Sequence, residues 1–208
     1  MKKISFSGMS KLDHNIAAAI LAGGENRRFG GMNKAIALLA GKKIISRMLD
    51  VIDKIFEEII IVTNSPDDFT DFRKYLITRD HYLKKGPLGG IHAALKRTTK
   101  EAVFIFAGDM PFIDRGIIVD QICYYERINR DILAPVVNNR LEPLHSIFKT
   151  SVTEKLEQYL GEQKRIAVHE FLRTMGTSFF QLEGTESTIK AFTNINATSD
   201  IGLFNNFM

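Results

Sequence analysis

Five apolar runs spaced by helix-length intervals constrain this chain more than any other feature. They are Ile16–Leu21, Glu58–Thr63, Leu76–Thr78, Ala102–Ala107 and Asp131–Val137. The second reads Glu-Ile-Ile-Ile-Val-Thr, a β-branched run without polar alternation, which is the pattern of a strand covered on both faces. Ile44, Ile45, Met48, Leu49, Ile52 and Ile55 recur at helical spacing within Lys43–Phe56. Ser65-Pro66-Asp67-Asp68 has the chemistry of a helix start, a later helix runs to about Arg97, and another spans 114–130. Strands alternating with helices in this way predict a parallel sheet with right-handed crossovers. The expected class is α/β, a single doubly wound, mostly parallel sheet with helices on both faces.

Beyond Val137 the pattern loosens. A strand is expected at Leu144–Phe148, helices near 151–160 and 166–175, and strands at 178–182 and 190–195. No repeat or linker interrupts the 208 residues, so one domain over 15–208 is expected, preceded by a frayed polar extension at 1–14. The 28 lysines and arginines exceed the 24 aspartates and glutamates by a formal +4. That excess suits an anionic ligand, but there are no basic runs of the kind that nucleic acid or a membrane surface would call for. No stretch approaches the ~18 apolar residues a membrane span needs, and Met1–Asn15 has no signal-peptide core, so a soluble, cytoplasmic protein is expected. The single cysteine, Cys123, excludes an intramolecular disulfide and is expected as a half-buried thiol on a helix.

In doubly wound sheets, ligands bind beyond the carboxyl ends of the strands. Polar features follow four of them here: Gly23-Gly24 after the first, Asn64 after the second, Asp80 after the third and Asp109 after the fourth. The segment from Leu21 to Lys34 carries four glycines, two arginines and a lysine. Glycines let backbone N–H groups approach a phosphate, and the cations match its charge. The spacing is neither that of a Walker A loop nor that of a Gly-x-Gly-x-x-Gly fingerprint, and a solvated surface loop has the same composition. Asp109, between an apolar strand and Met110-Pro111, suits a divalent cation held by one or two carboxylates plus substrate phosphates. It equally suits a turn-capping aspartate. The five histidines, 14, 81, 92, 145 and 169, show no metal-ligand spacing.

Taken together, Leu-Ala-Gly-Gly-x3-Arg-x-Gly-Gly-x2-Lys at 21–34, Gly-Pro-Leu-x-Gly at 86–90 and Gly-Asp-Met-Pro at 108–111 resemble a nucleotidyltransferase of the GT-A-like class. Glu142-Pro143-Leu144-His145, Tyr159-Leu160-Gly161 with Arg165, and Phe192-Thr193-Asn194-Ile195-Asn196 narrow the resemblance to the molybdenum cofactor guanylyltransferases, over roughly residues 16 to 201. The resemblance implies transfer of GMP from Mg-GTP to the terminal phosphate of molybdopterin, with release of pyrophosphate. It implies nucleotide contacts from Leu21, Ala22, Gly23, Gly24, Asn64 and Asp80, and a catalytic set of Lys34, Arg28 and Asp109. Lys34 would stabilise charge on the α-phosphoryl group and on the leaving pyrophosphate, while Asp109 would hold Mg²⁺. His145, Asn194 and Asn196 would lie near the acceptor or the metal. Delivery to molybdoenzymes or their chaperones is implied in the same way.

Each of these residues has a plainer use. Lys34 suits a surface lysine at a helix start, Asn64 a helix entry, Asp80 a turn, His145 a packed interior position, and Asn194 and Asn196 a C-terminal strand. Two departures from the family pattern stand out. Asn33 precedes the lysine where the family usually has Asp, so one negative charge is missing. Ala197-Thr198-Ser199-Asp200 replaces a Thr-Pro-acid-acid pattern, with an effect expected only on helix entry. A molybdopterin cytidylyltransferase and a non-catalytic nucleotide-binding homologue are the alternatives.

Overall fold

The computed structural model describes residues 14–23, 33–83, 85–162 and 167–205. The segment 1–13, Gly24, Arg28 and Arg165 lie outside these described residues. The apolar run β1 (Ile16–Leu21) forms the middle of an eight-stranded sheet, parallel to β4 (Ile59–Val62) on one side and to β6 (Ala102–Ala107) on the other. β5 (Leu76–Thr78) extends the sheet in parallel beyond β4. On the far side of β6, β9 (His145–Lys149) runs antiparallel to both β6 and β7 (Ile132–Val137). β10 (Ser178–Leu182) closes that edge parallel to β7, and the short β8 (Arg140–Leu141) folds back on β7. The sheet is therefore mostly parallel, with β9 the one full-length antiparallel insertion among the described residues.

Helices cover both faces, as the β-branched runs require. α1 (Ile44–Ile52) and α3 (Arg115–Arg127) bury Ile45, Met48, Ile118 and Ile122 against Ile16, Ala18 and Ile20 of β1. On the opposite face, α2 (Pro87–Arg97), α4 (Thr153–Glu162) and α5 (Val168–Thr174) bury Leu88, Ile91, Leu156 and Phe171 against Ala19, Ile60 and Val62. The alternation of Ala18 and Ala19 between faces is the two-residue period of a strand. Beside the small alanines of β1, the Phe104 and Phe106 rings of β6 stack 4.4 Å apart, and Phe56 meets both edge-on.

Three features differ from the sequence reading. The expected strand at 190–195 is instead the end of α6 (Glu186–Ala191) and a tail outside any strand. Thr185 caps this helix, accepting the Thr188 N–H, and Thr188, Ala191, Phe192 and Ile195 turn inward at helical rather than alternating spacing. The helix expected after Ser65 is a kinked 3₁₀ segment, Pro66–Phe72. Two tight hairpins went unread, β2–β3 (Leu38–Leu39 and Lys42–Lys43) and β7–β8. Each turns through two residues of positive φ, Ala40-Gly41 and Asn138-Asn139. Cys123 sits half-buried on α3, as expected. Among the described residues no helix is long and apolar enough to cross a membrane.

The topology locates the site. The chain passes from β1 outward through β4 to β5, then crosses back to β6 on the other flank of β1. The winding direction reverses between β1 and β6, and the crevice at such a switch point is where open α/β sheets take their ligands. Gly108 lets the two strand ends meet there. Its N–H donates to the Leu21 carbonyl at 3.0 Å, and a Cβ at Gly108 would stand 2.7 Å from that oxygen.

Candidate active site at the switch point

A cavity of about 800 Å³ opens over these carboxyl ends, and Gly23, Asn64, Asp80 and Asp109, from the four strand ends, line its wall. β1 supplies Leu21, Ala22 and Gly23, β4 leads to Thr63 and Asn64, β5 leads to Asp80, and β6 leads to Gly108 and Asp109. Asn33 and Lys34 enter from the start of the 3₁₀ turn Lys34–Ile36.

At the centre, Lys34 Nζ lies 3.5 Å from Asp109 Oδ2, with side chains only 24% and 22% exposed. Burial raises the Asp109 carboxyl above its ordinary range, and the Lys34 charge opposes that shift. The Asp109 carbonyl accepts the Ile195 N–H at 2.8 Å, which brings the segment carrying Asn194 and Asn196 against the strand end that carries the acid.

At the far wall, Asn64 Oδ1 accepts the Asp80 N–H at 3.1 Å, and Asp80 Oδ1 accepts the Tyr82 N–H at 2.7 Å. The Asp80 carboxylate lies over the first turn of α2, and only a glycine at 89 leaves room for it. A Cβ there would come within 2.5 Å of both carboxylate oxygens. Burial also raises the Asp80 carboxyl, with the Tyr82 N–H opposing. Leu83, 65% exposed, adds an apolar lip, and no sequence signal marked it.

Ala22 is tied internally at both ends of its peptide unit. Its N–H donates to Val62 O at 2.8 Å and its carbonyl accepts from Asn33 Nδ2 at 2.6 Å. What it offers a ligand is therefore a fixed backbone position and a second carbonyl lone pair, not its N–H.

A second, smaller cavity of about 390 Å³ is lined by Asn138, Arg140, Glu142, Phe192, Asn194 and Asn196. Glu142 pairs with Arg140 at 3.2 Å, and burial raises its carboxyl. Asn194 Oδ1 is buried without a hydrogen-bond partner among the described residues. Sequence reading singled out the two asparagines but missed Arg140 and Glu142 as cavity walls. Asp200 Oδ2 accepts the N–H groups of Asn196 and Ala197 at 2.7 and 2.9 Å, capping the entry to α7 (Thr198–Asn205). The second departure from the family pattern thus falls on a helix entry, as expected.

His145 lies in the core, behind Phe192 of the second cavity. It is 1% exposed, with Nδ1 3.2 Å from Gln121 Oε1 and its ring edge-on to Phe104 and Phe106. Full burial pushes its pKa down to about 3, so the ring is neutral, and it packs 4.8 Å from the Phe192 ring that lines the second cavity. Its place at the buried start of β9 takes it inward.

No three His, Cys, Asp or Glu side chains gather among the described residues. A divalent cation at Asp109 would therefore have to share its ligands with substrate phosphates, since the described residues form no closed protein cage.

Residues 18–177 match the family model of the MobA-like NTP transferase domain. The chain is 33% identical over 188 residues to a molybdenum cofactor guanylyltransferase of Desulfosudis oleivorans, covering 89% of this chain and 92% of that one. It is 35% identical over 194 residues to a Natranaerobius thermophilus protein named "Probable molybdenum cofactor guanylyltransferase", covering 90% and 93%. In three dimensions it resembles the molybdopterin-guanine dinucleotide biosynthesis protein A of Archaeoglobus fulgidus, with a TM-score of 0.77 over 92% of this chain and 97% of that one at 23% identity. The last likeness concerns the fold alone.

Proposed function

The chain belongs to the MobA-like NTP transferase family, and from that membership we propose that it transfers GMP from Mg-GTP to the terminal phosphate of molybdopterin. An oxygen of the acceptor phosphate attacks the α-phosphorus of GTP, the bond from that phosphorus to the β-phosphate oxygen breaks, and pyrophosphate leaves. The observation that carries this reading is the Lys34–Asp109 pair across the switch point. It sets a cation and an anion where the α-phosphoryl group would sit.

Nucleotidyl transfer needs positioning and charge neutralisation more than a protein nucleophile. The acceptor phosphate is already ionised at neutral pH, so the reaction calls for no strong base. Lys34 offsets charge on the α-phosphoryl group and the departing pyrophosphate. Asp109 would hold Mg²⁺, which when bound neutralises phosphate charge. Gly23 and the fixed Ala22 carbonyl bound the nucleotide on the β1 side, and Leu83 and Pro87 offer apolar surface to a base. Asp80 favours guanine over cytosine, because a carboxylate accepts from the N1–H and 2-amino donors that guanine carries on one edge. The guanylyltransferase names of the two relatives point to the same base. The second cavity, with the unpartnered Asn194 carbonyl and the Glu142 carboxylate, is a fitting place for the acceptor.

The test is pyrophosphate release with Mg²⁺ and molybdopterin, comparing GTP, CTP, ATP and UTP. GTP-selective release is expected. Selectivity for CTP would move the protein to the cytidylyl branch, and no turnover with any nucleotide would leave a binding protein.

A further inference from the structure

The smaller cavity has the lining of a site for a heterocycle. Among the described residues around it, Glu142 carries the one negative charge and Arg140 the one positive. Val137 and Phe192 are buried apolar walls, and the Phe192 ring is backed by the His145 ring at 4.8 Å. Apolar walls with a few converging polar groups, around a volume of about 390 Å³, suit a small planar molecule.

Glu142 is fixed at its backbone. Its N–H donates to the Pro135 carbonyl at 3.0 Å, and its own carbonyl accepts the His145 N–H at 3.3 Å. Its side chain is 15% exposed, with Arg140 Nε 3.2 Å from Oε1. Burial raises the carboxyl above its ordinary range, and the Arg140 charge opposes that shift. One such contact leaves both carboxylate oxygens with lone pairs to accept further N–H groups. Asn194 Oδ1, buried and without a partner among the described residues, is a third acceptor on the same cavity. A ligand edge made of donors would satisfy all three, whereas a phosphate would be repelled by the carboxylate.

The pyrimidine ring of a pterin has such an edge, N3–H beside a 2-amino group. Guanine presents the same pair at N1–H and its own 2-amino group. The reaction joins two molecules with this edge, and each cavity holds one partly buried carboxylate outside the Lys34–Asp109 pair, Asp80 in the larger and Glu142 in the smaller. We propose that Glu142 reads the pterin edge of the acceptor, its two oxygens accepting from N3–H and the 2-amino group, with Asn194 Oδ1 taking the second amino hydrogen. The proposal rests on the transferase reading above. The path from the pterin to the reacting phosphate is short. Leu144, two residues after Glu142, lines the larger cavity, and the Ile195 N–H, beside Asn194, is bound to the Asp109 carbonyl.

The experiment compares two ligands that differ at one group. Pterin carries the 2-amino group; lumazine carries a carbonyl oxygen in its place, which would meet Glu142 with lone pair against lone pair. Binding of each to the full chain is followed by ligand fluorescence, for the parent and for Glu142→Gln. The parent is expected to bind pterin at least about tenfold more tightly than lumazine. Glu142→Gln should lose or reverse that preference, because an amide offers an N–H to the lumazine carbonyl. In GTP-dependent pyrophosphate release the same variant should raise KM for molybdopterin at least about tenfold and leave KM for GTP within about twofold. Absence of pterin binding, equal affinity for the two ligands in the parent, or a preference that survives Glu142→Gln overturns the proposal. So does an unchanged KM for molybdopterin, or a matched rise in both KM values, which would mark Glu142 as a residue of the fold. If Glu142→Gln fails to fold, the parent's choice between the two ligands decides. A chain that shows the Glu142-dependent preference but releases no pyrophosphate defeats the transferase reading alone. An active chain without that preference defeats this proposal alone.

Discussion

Gly108→Ala probes the junction on which the site is built. The added Cβ would stand 2.7 Å from the Leu21 carbonyl oxygen and 3.1 Å from Ala22 Cα, both backbone atoms of the central strand's end. Ordinary contact begins near 3.4 Å, so β1 and β6 must part by roughly 0.7 Å at their carboxyl ends. That strain costs about 1–3 kcal/mol, and weakening the 3.0 Å Gly108–Leu21 hydrogen bond adds about 1 kcal/mol. For a chain of this size the total, about 2–4 kcal/mol, corresponds to a melting temperature lower by roughly 4–16 °C. The same parting displaces Asp109 from Lys34, and sub-ångström misplacement of reacting groups costs about 10- to 100-fold in rate. Thermal melting followed by circular dichroism and pyrophosphate release at a temperature where the variant is fully folded measure the two effects. A melting temperature within a degree of the parent, or normal kcat in the folded variant, would refute the reasoning that this close approach sets the site.

Asp109→Asn keeps the shape of the side chain but removes its charge. GTP-dependent turnover should fall at least about 100-fold while the melting temperature changes little, as assay and calorimetry would show; activity near the parent's would mean that any metal is held elsewhere. His145 makes a pH prediction. Its folded pKa of about 3 lies below the unfolded value of 6.5, so the unfolded chain binds the extra proton between those limits. Stability is full above pH 6.5 and falls as the pH drops, by about 1.4 kcal/mol per unit from this group. Urea melts at pH 7 and pH 5 should show that loss, and His145→Gln should lack this part of it. Equal slopes in the two proteins would count against the buried neutral imidazole.

How far the sequence could be read follows from which interactions are local. The β-branched run at Glu58–Thr63 and the helical spacing over Lys43–Phe56 are local periodicities; the first formed β4 and the second formed α1, which ends at Ile52, short of Ile55. The convergence of Gly23, Asn64, Asp80 and Asp109 emerged as read, because every strand end in a parallel sheet faces the same edge. The tail at 190–195 misled because Ile189, Ala191 and Ile195 alternate in part, while the Thr185 cap starts a helix that runs to Ala191 and leaves the residues to Ile195 outside any strand. His145 was legible only in part. It stands within a motif shared with the family, but on a strand flanked by β6 and β7 its side chain is taken by Gln121 and three phenylalanines, of which Phe192 lines the second cavity. Asn33 was legible only as an absent charge. Its partner Ala22 lies eleven residues away, across a glycine-rich segment whose pattern does not announce the contact.

The most direct test of the account follows the phosphorus atoms. GTP labelled at the α-phosphate, incubated with Mg²⁺, molybdopterin and the unmutated protein, should yield a labelled molybdopterin product carrying the mass of one added GMP, with unlabelled pyrophosphate. Label appearing only in free GMP, or label staying in GDP while the acceptor gains the mass of a single phosphate, would contradict nucleotidyl transfer at the Lys34–Asp109 site.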